Sequence, residues 1–349
     1  MVEKTIFGRM KDGREVSRYT LKNQNGVSAS FLDLGAIWST MLVPDRNGEM
    51  EDVLLGHETV ADCLVSDGHL GEAVGRNANR IGGAAFTLND KKYELTANDG
   101  PNNLHSGMDF YRNRIWTAEY ETGVNQVSFT LESLDGDQGY PGNASIRVTY
   151  TLTDENEVKI HYEGTCDQDT IFNMTNHAYF NLAGHESGPA LSQMVYIDSD
   201  AITAVDKVLI PTGEIRKVMG TPMDFSDFKP IGRDIEVDYD QLKLGGGYDH
   251  NWILNHESGV FSLAAAAIDE ESGRKMEVYT DLPGVQFYTG NFLDGQVPGK
   301  GGVKYARRQG YCFETQYYPN AVNMPGFASP IVKKGEKYNT TTSYKFMTV

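Results

Sequence analysis

The sequence is short of cysteine, of basic charge and of long apolar runs, and each shortage removes a class of protein. Its 349 residues hold three cysteines, Cys63, Cys166 and Cys312, odd in number and without a C-x-x-C pair. Neither a disulfide framework nor a thiolate zinc site is indicated, and a reducing compartment fits best. Thirty-one basic side chains stand against 48 acidic ones, a net charge of −17, so the Lys/Arg surplus that a phosphate backbone requires is missing. No apolar run approaches the roughly 20 residues that span a bilayer. The segment 1–18 alternates charged and apolar residues instead of forming a signal peptide. The expectation is a soluble cytoplasmic chain with no nucleic-acid or membrane partner, a monomer or weak homodimer.

Several chemical motifs are missing too. Gly245-Gly-Gly247 and Gly299-Lys-Gly-Gly302 do not match a phosphate loop or a dinucleotide fingerprint. None of the eight histidines pairs with another at metal-ligand spacing beside a carboxylate, and no G-x-S-x-G elbow occurs. The sequence gives no local support for a metal or a nucleophilic serine.

Turn chemistry, by contrast, is dense from end to end. Asn-Gly stands at 25 and 47, Asp-Gly at 12, 67, 99, 135 and 294, and Pro-Gly at 141, 283, 298 and 325. These pairs supply the positive φ angles and preset bends that reverse a chain between strands. Short period-two stretches lie between them: 27–32, 127–131, 146–152, 158–162, 261–267, 276–280 and 285–289. The polar segment 153–157 predicts a hairpin, and 57–64 a short helix. Without a linker or a fixed repeat, this pattern predicts one large all-β domain over 1–349, a sandwich or barrel.

Polar clusters interrupt these apolar strands. Gly75-Arg-Asn-Ala-Asn-Arg-Ile-Gly82 offers Asn79 and Arg80, whose planar fork suits a hydroxyl or a carboxylate, although a surface ion pair is the plainer reading. Asn102-Asn-Leu-His-Ser-Gly107 places His105 among turn residues. In an extended Asn173-Met-Thr-Asn-His-Ala-Tyr-Phe-Asn-Leu182, the residues Asn173, Thr175, His177, Tyr179 and Asn181 share one face, opposite Met174, Ala178, Phe180 and Leu182. Tyr248-Asp-His-Asn-Trp252 sets Asp249 beside aromatics, as sugar sites often do, and Gln286 offers an amide. Glu314 lies in an aromatic stretch, 311–319, where a carboxylate is rarely buried without a partner or a purpose. Cys312 would share its strand face, a packed thiol being the plainer reading.

In order and rough spacing, six of these segments resemble the aldose 1-epimerase family: Asn79-Arg-Ile-Gly82, Asn102–Gly107, Thr175–Leu182, Tyr248-Asp-His250, Gln286–Asn291 and Glu314–Pro319. Gly335-Glu-Lys-Tyr338 echoes the family's terminal motif. Each match alone is weak, but together they cover most of the chain. The resemblance implies a large antiparallel β-sandwich, the galactose mutarotase-like supersandwich, with a sugar in a cleft on one sheet. It implies Glu314 as general base and His177 as general acid. Asn79, Arg80, His105, Asp249, Gln286 and Tyr179 would position galactose or glucose, with no metal or other cofactor. Two residues depart from the family pattern, Ser106 where glycine is usual and Trp252 where phenylalanine is common, and both are expected to reshape the pocket. For His177 to act as acid, a nearby carboxylate such as Glu314 or Asp249 is expected to raise its pKa. The competing readings are a hexose-6-phosphate epimerase using the basic segment 300–308, a non-catalytic sugar sensor, and a glycoside hydrolase built on Asp249 and Glu314.

Overall fold

The computed structural model describes residues 2–349. The turn dipeptides reverse the chain as expected. The hairpin of Ala144–Leu152 and Glu157–Cys166 closes on the Leu152 and Val158 pair, across the predicted polar loop. Every other predicted strand also lies within or beside an observed one: Ser28–Leu32, Gln126–Ser133, Ser262–Ile268, Arg274–Thr280 and Gly284–Tyr288.

Three antiparallel sheets carry the architecture. A nine-stranded sheet runs from Thr117–Glu119 through Gln126–Ser133, Ala144–Leu152, Glu157–Cys166 and the C-terminal Lys337–Thr348 to Lys229–Pro230 at its other edge. One five-stranded sheet is N-terminal, Val2–Arg9 to Met50–Asp52. The other orders its strands as Pro211–Lys217, Ser199–Val205, Asp249–Leu254, Gly284–Tyr288 and Cys312–Gln316. Aromatic side chains lock the nine-stranded sheet to both partners. Phe31 stacks on Tyr150 at 4.1 Å, and the Tyr344 hydroxyl donates to the Phe313 carbonyl at 2.8 Å. A stacked aromatic pair adds about 0.5–1.5 kcal/mol beyond the apolar area it buries. This is the all-β sandwich expected from the turn and strand pattern.

The predicted helix is present as Val60–Val65, where the Thr59 hydroxyl accepts from the Asp62 N–H at 3.1 Å. A second short helix, Asp240–Gly245, ends on Gly246 in the left-handed region and was not legible as a period. Among the described residues no helix is long and apolar enough to cross a membrane.

One strand prediction needs correction. In 173–182 only Thr175–Asn176 is regular strand, and the rest makes isolated bridges to Asn77, Leu54 and Tyr311. The alternation of side chains survives, with Phe172, Met174, Ala178, Phe180 and Leu182 in the main core. The ladder is lost because the asparagines satisfy backbone from several neighbours. Asn176 donates to Gly71 O at 2.8 Å, Asn181 donates to Gln309 O at 2.7 Å, and Asn173 accepts from the Tyr317 N–H at 2.9 Å. The segment is therefore a buried thread through the molecule, and its five polar residues do not act on one shared surface.

Candidate active site

Alternation along the strands of the C-terminal five-stranded sheet sorts its residues into two faces. Trp252, Val285, Phe287 and Phe313 enter the core. The opposite face aligns Asp249 with Tyr288 and Cys312, and Asn251 with Gln286 and Glu314, through the strand register. Loops from both halves of the chain, chiefly 65–70 and 292–297, border a cavity of about 330 Å³ on this polar face. That is at the small end of ligand pockets, roughly 300–1,000 Å³, and suits a monosaccharide better than a longer glycan.

Seven of the eight residues singled out from sequence line the cavity: Asn79, Arg80, His105, His177, Tyr179, Asp249 and Glu314. Gln286 stands behind this wall. Its amide donates to Asp249 Oδ1 at 2.8 Å and its carbonyl accepts from Gln316 at 3.2 Å, so it orients Asp249 rather than facing the cavity. Trp252 is also off the wall. It is fully buried in the core, with its indole N–H on Met223 O at 3.2 Å.

Ser106 is not on the wall either, which corrects the expectation that it reshapes the pocket. Its φ of 58° is left-handed, the conformation glycine adopts freely. The hydroxyl accepts from Asn77 N–H at 2.9 Å, donates to Asn77 O at 3.0 Å and meets the Tyr140 hydroxyl at 3.0 Å, joining the two loops that carry Arg80 and His105. Ser106→Gly would relieve about 1 kcal/mol of backbone strain. It would also leave buried groups of Asn77 and Tyr140 unpaired, at about 1–3 kcal/mol each. The expected outcome is a net loss of stability with unchanged m-value in urea unfolding, and a more stable Ser106→Gly protein would contradict it.

Two glycines let the site close. A Cβ on Gly71, at φ 79°, would lie 2.2 Å from Trp38 O, and one on Gly247 would lie 2.3 Å from the Asn291 side chain. Asn291 in turn donates to Tyr248 O at 2.9 Å, tying the Tyr-Asp-His segment to the Gln-x-Tyr-Thr-Gly-Asn strand.

Glu314 and His177 are 2% and 5% exposed, with His177 Nε2 3.6 Å from Glu314 Oε1. This exceeds a hydrogen bond and leaves room for substrate oxygens, as empty acid–base sites often do. Among the described residues, the buried Glu314 Oε2 has no hydrogen-bond partner. Burial, reinforced by the Asp249 charge and opposed by Arg80, pushes the Glu314 carboxyl well above its usual range. Burial also raises Asp249, against Arg80 and the Gln286 bond.

His177 departs from the expectation of a raised pKa. Burial first and the neighbouring His69 second push it down to about 3, with Glu72 opposing. The physical reason is that desolvation disfavours charge on both partners and so draws Glu314 toward its neutral acid form, which makes it a weak anionic partner for His177. For one proton shared by the pair, burial favours a neutral acid facing a neutral imidazole over an ion pair.

His105 Nδ1 accepts from the Asn79 N–H at 3.1 Å, so the ring hydrogen of the neutral imidazole sits on Nε2. Burial, then His69 and His177, keeps this ring from protonating. Arg80 reaches Asp99 through Nε at 2.7 Å and remains at the wall.

His105, His177 and Glu314 bring one ligand atom each within 4.8 Å of one another, a set capable of holding a metal ion. The chain separates these residues widely, so no sequence spacing could display the set. His105 argues against the metal reading. A ligating histidine donates its second ring N–H outward, whereas here Nδ1 receives a backbone donor and Nε2 bears the hydrogen.

His69, Tyr288 and Tyr305, for which no sequence motif spoke, also line the cavity. Cys312, on the strand face of Glu314 as expected, lies off the wall with its sulfur 3.4 Å from His177 Nδ1. Behind His69 lies Glu72, 2% exposed. A signal for Glu72 did exist, because it is a carboxylate in the apolar stretch 70–74, just as Glu314 is within 311–319.

Comparisons with known proteins point one way. The family model of the aldose 1-epimerases matches residues 17–345. The galactose mutarotase of Sus scrofa is 40% identical over 346 residues, covering 99% of this chain and 98% of its own. The aldose 1-epimerase of Haemophilus influenzae is 39% identical over 351 residues, covering 99% of this chain and 100% of its own. A solved structure of an aldose epimerase homologue from C. elegans superposes with a TM-score of 0.87 at 30% identity, over 95% of this chain and 98% of that one.

Proposed function

Because the chain belongs to the aldose 1-epimerase family, we propose that Glu314 and His177 are the base and acid that open and reclose the ring of a free hexose. The protein is an aldose 1-epimerase, an isomerase that interconverts the α and β anomers of its sugar. Galactose is the proposed substrate, with glucose next, and residues 1–349 work as a single domain around the core that runs from Tyr19 to Phe346.

The observation that carries the assignment of roles is the buried pair itself, face to face at 3.6 Å with one carboxyl oxygen unpartnered. A hemiacetal inverts only by opening to the aldehyde, rotating about the C1–C2 bond and reclosing on the other face. Opening takes a proton from the anomeric hydroxyl and delivers one to the ring oxygen. The single proton of the pair serves both ends. With the proton on His177, Glu314 accepts from the anomeric hydroxyl while His177 donates to the ring oxygen, and reclosure reverses the transfers. A substrate hydroxyl bonded to Glu314 favours the carboxylate and so shifts the proton to His177. His105 offers its Nε2 hydrogen to a sugar oxygen, while Arg80, Asn79, Asp249 and Tyr179 fix the ring.

Two of the four basic side chains of segment 300–308 are committed elsewhere, which disfavours a phosphate site there: Lys300 is buried on Asp52 at 2.6 Å, and Arg308 pairs with Glu236 and donates to Gly246 O. Asp67, Asp249, Asp294 and Glu314 give the cavity wall an acidic bias.

Polarimetry of freshly dissolved α-D-galactose and α-D-glucose tests the proposal, in buffer with chelator and with the 6-phosphates in parallel. Accelerated mutarotation of the free sugars, galactose ahead of glucose, is expected, with turnover of the phosphates at least about tenfold lower. Faster reaction of a 6-phosphate would overturn the substrate assignment.

A further inference from the structure

The cleft holds a second histidine–carboxylate pair that the proposed reaction does not use. His69 lies on the cavity wall, and its Nδ1 is 2.7 Å from Glu72 Oε1. Arg112 Nε stands 3.7 Å from Glu72 Oε2. Arg112 also approaches His69 Nδ1 at 3.4 Å. The shorter contact decides the tautomer: a carboxylate can only accept, so Nδ1 carries the hydrogen and donates to Glu72.

That leaves Nε2, which makes no hydrogen bond to the protein among the described residues. The ring is packed on three sides: 5.0 Å from His105, 5.0 Å from Phe110, and 5.6 Å from His177 at 26° between planes. Its own backbone is left-handed at φ 58°, a conformation that non-glycine residues keep where the surroundings impose it. Burial raises the Glu72 pKa, but the His69 contact and the Arg112 charge outweigh it and hold the carboxyl below its usual value. Here the chain buries a carboxylate behind an imidazole that lines the cleft, and among the described residues leaves the remaining ring nitrogen without a hydrogen-bond partner, beside the His177 that the reaction uses.

We propose that His69 is a substrate-positioning residue whose Nε2 hydrogen-bonds one hydroxyl of the bound aldose, on a ring held in place by Glu72 and Arg112. A hydroxyl suits this nitrogen in either state, because it donates to the neutral ring and accepts from the charged one. The inference rests on the cavity being the sugar site.

The test combines His69→Phe, which keeps a flat ring and removes both nitrogens, with Glu72→Gln, which keeps shape and removes charge. KM and kcat are measured on galactose and on a panel of its monodeoxy analogues. His69→Phe is expected to raise KM by about tenfold, the worth of one well-placed hydrogen bond, with a smaller change in kcat. One analogue, lacking the hydroxyl that His69 holds, should be poor for the wild type yet no worse than galactose for His69→Phe, the coupling a double-mutant cycle reads. Glu72→Gln should raise KM in the same direction. The proposal is overturned if KM stays within about twofold of wild type, or if every analogue loses as much in the variant as in the wild type. A fall in Tm alone, with KM unchanged, would assign the pair to structure and overturn it equally. Should His69→Phe fail to fold, His69→Asn is read by the same criteria. Wild-type protein inactive on every sugar would refute the activity and this inference with it, whereas active wild type with an unmoved KM in His69→Phe refutes the inference alone, so the two failures are distinguishable.

Discussion

Glu314→Gln should lower kcat by about 10²–10⁴, the usual contribution of a positioned acid or base, while leaving the protein at least as stable as the wild type at pH 7. The first half follows from geometry, since an amide cannot take the anomeric proton. The second follows from linkage. Burial raises the Glu314 pKa in the folded protein, so between the unfolded value near 4.3 and the raised value the native state holds a proton that the unfolded chain has released. Wild-type stability therefore falls as pH rises through that window, and glutamine, which has no charge to desolvate, is spared the loss. Circular-dichroism melts from pH 5 to 7 should show the Tm of the variant drawing ahead of wild type as pH rises. A variant keeping more than a tenth of kcat would remove Glu314 from the chemistry. A variant melting several degrees below wild type would place the carboxylate in a structural bond instead.

His177→Asn should lose a comparable factor in kcat, because asparagine has no proton to deliver to the ring oxygen. The double variant Glu314→Gln/His177→Asn should be little worse than either single one, since the two groups pass one proton between them and act as a unit. A product of the two losses would show that they act independently. The wild-type pH profile follows from the same pair. With His177 pushed down to about 3, a second proton enters the pair only far below the ordinary histidine range. The kcat/KM of the wild type, which reports the free enzyme, should thus stay level from about pH 7 to 5, and a tenfold fall per unit below about pH 6.5 would contradict it. Stability should behave differently. His177 and the equally buried His105 and His250 are neutral in the folded protein, and the unfolded chain binds protons at these positions below about pH 6.5. Each therefore contributes stability that is present above that value and lost on acidification. His177→Asn should lose less stability than wild type between pH 6.5 and 4.

The legible part of the site was what strand alternation and local composition carry. Glu314 and Asp249 stood out as carboxylates among aromatics, and His177 as a polar group in an apolar stretch. Alternation gives the face of a residue but not its depth, so it places Gln286 on the polar face without showing that its amide is held by Asp249. Departure from a motif marks Trp252 and Ser106 but not their neighbours in the fold, which are Met223, Asn77 and Tyr140. Glu72 carries a local signal, a carboxylate in an apolar stretch, but the loop histidine three residues before it has none, and only the fold brings Arg112 and His177 to the pair.

By itself, the sequence determined the all-β class, the strand and hairpin positions outside 173–182, and the family through the order of its six motifs. These depend on residues near one another in the chain, where φ preferences, side-chain alternation and local charge are decided. The tertiary structure alone decided which polar groups meet in the cleft, which retreat behind it, and where the proton of the Glu314 and His177 pair resides. The physical reason is desolvation: a pKa is set by how much water is removed and by which charges remain within a few ångströms. In this protein those charges come from His69, Glu72, Arg80 and Asp249, residues that only the closed sandwich brings together.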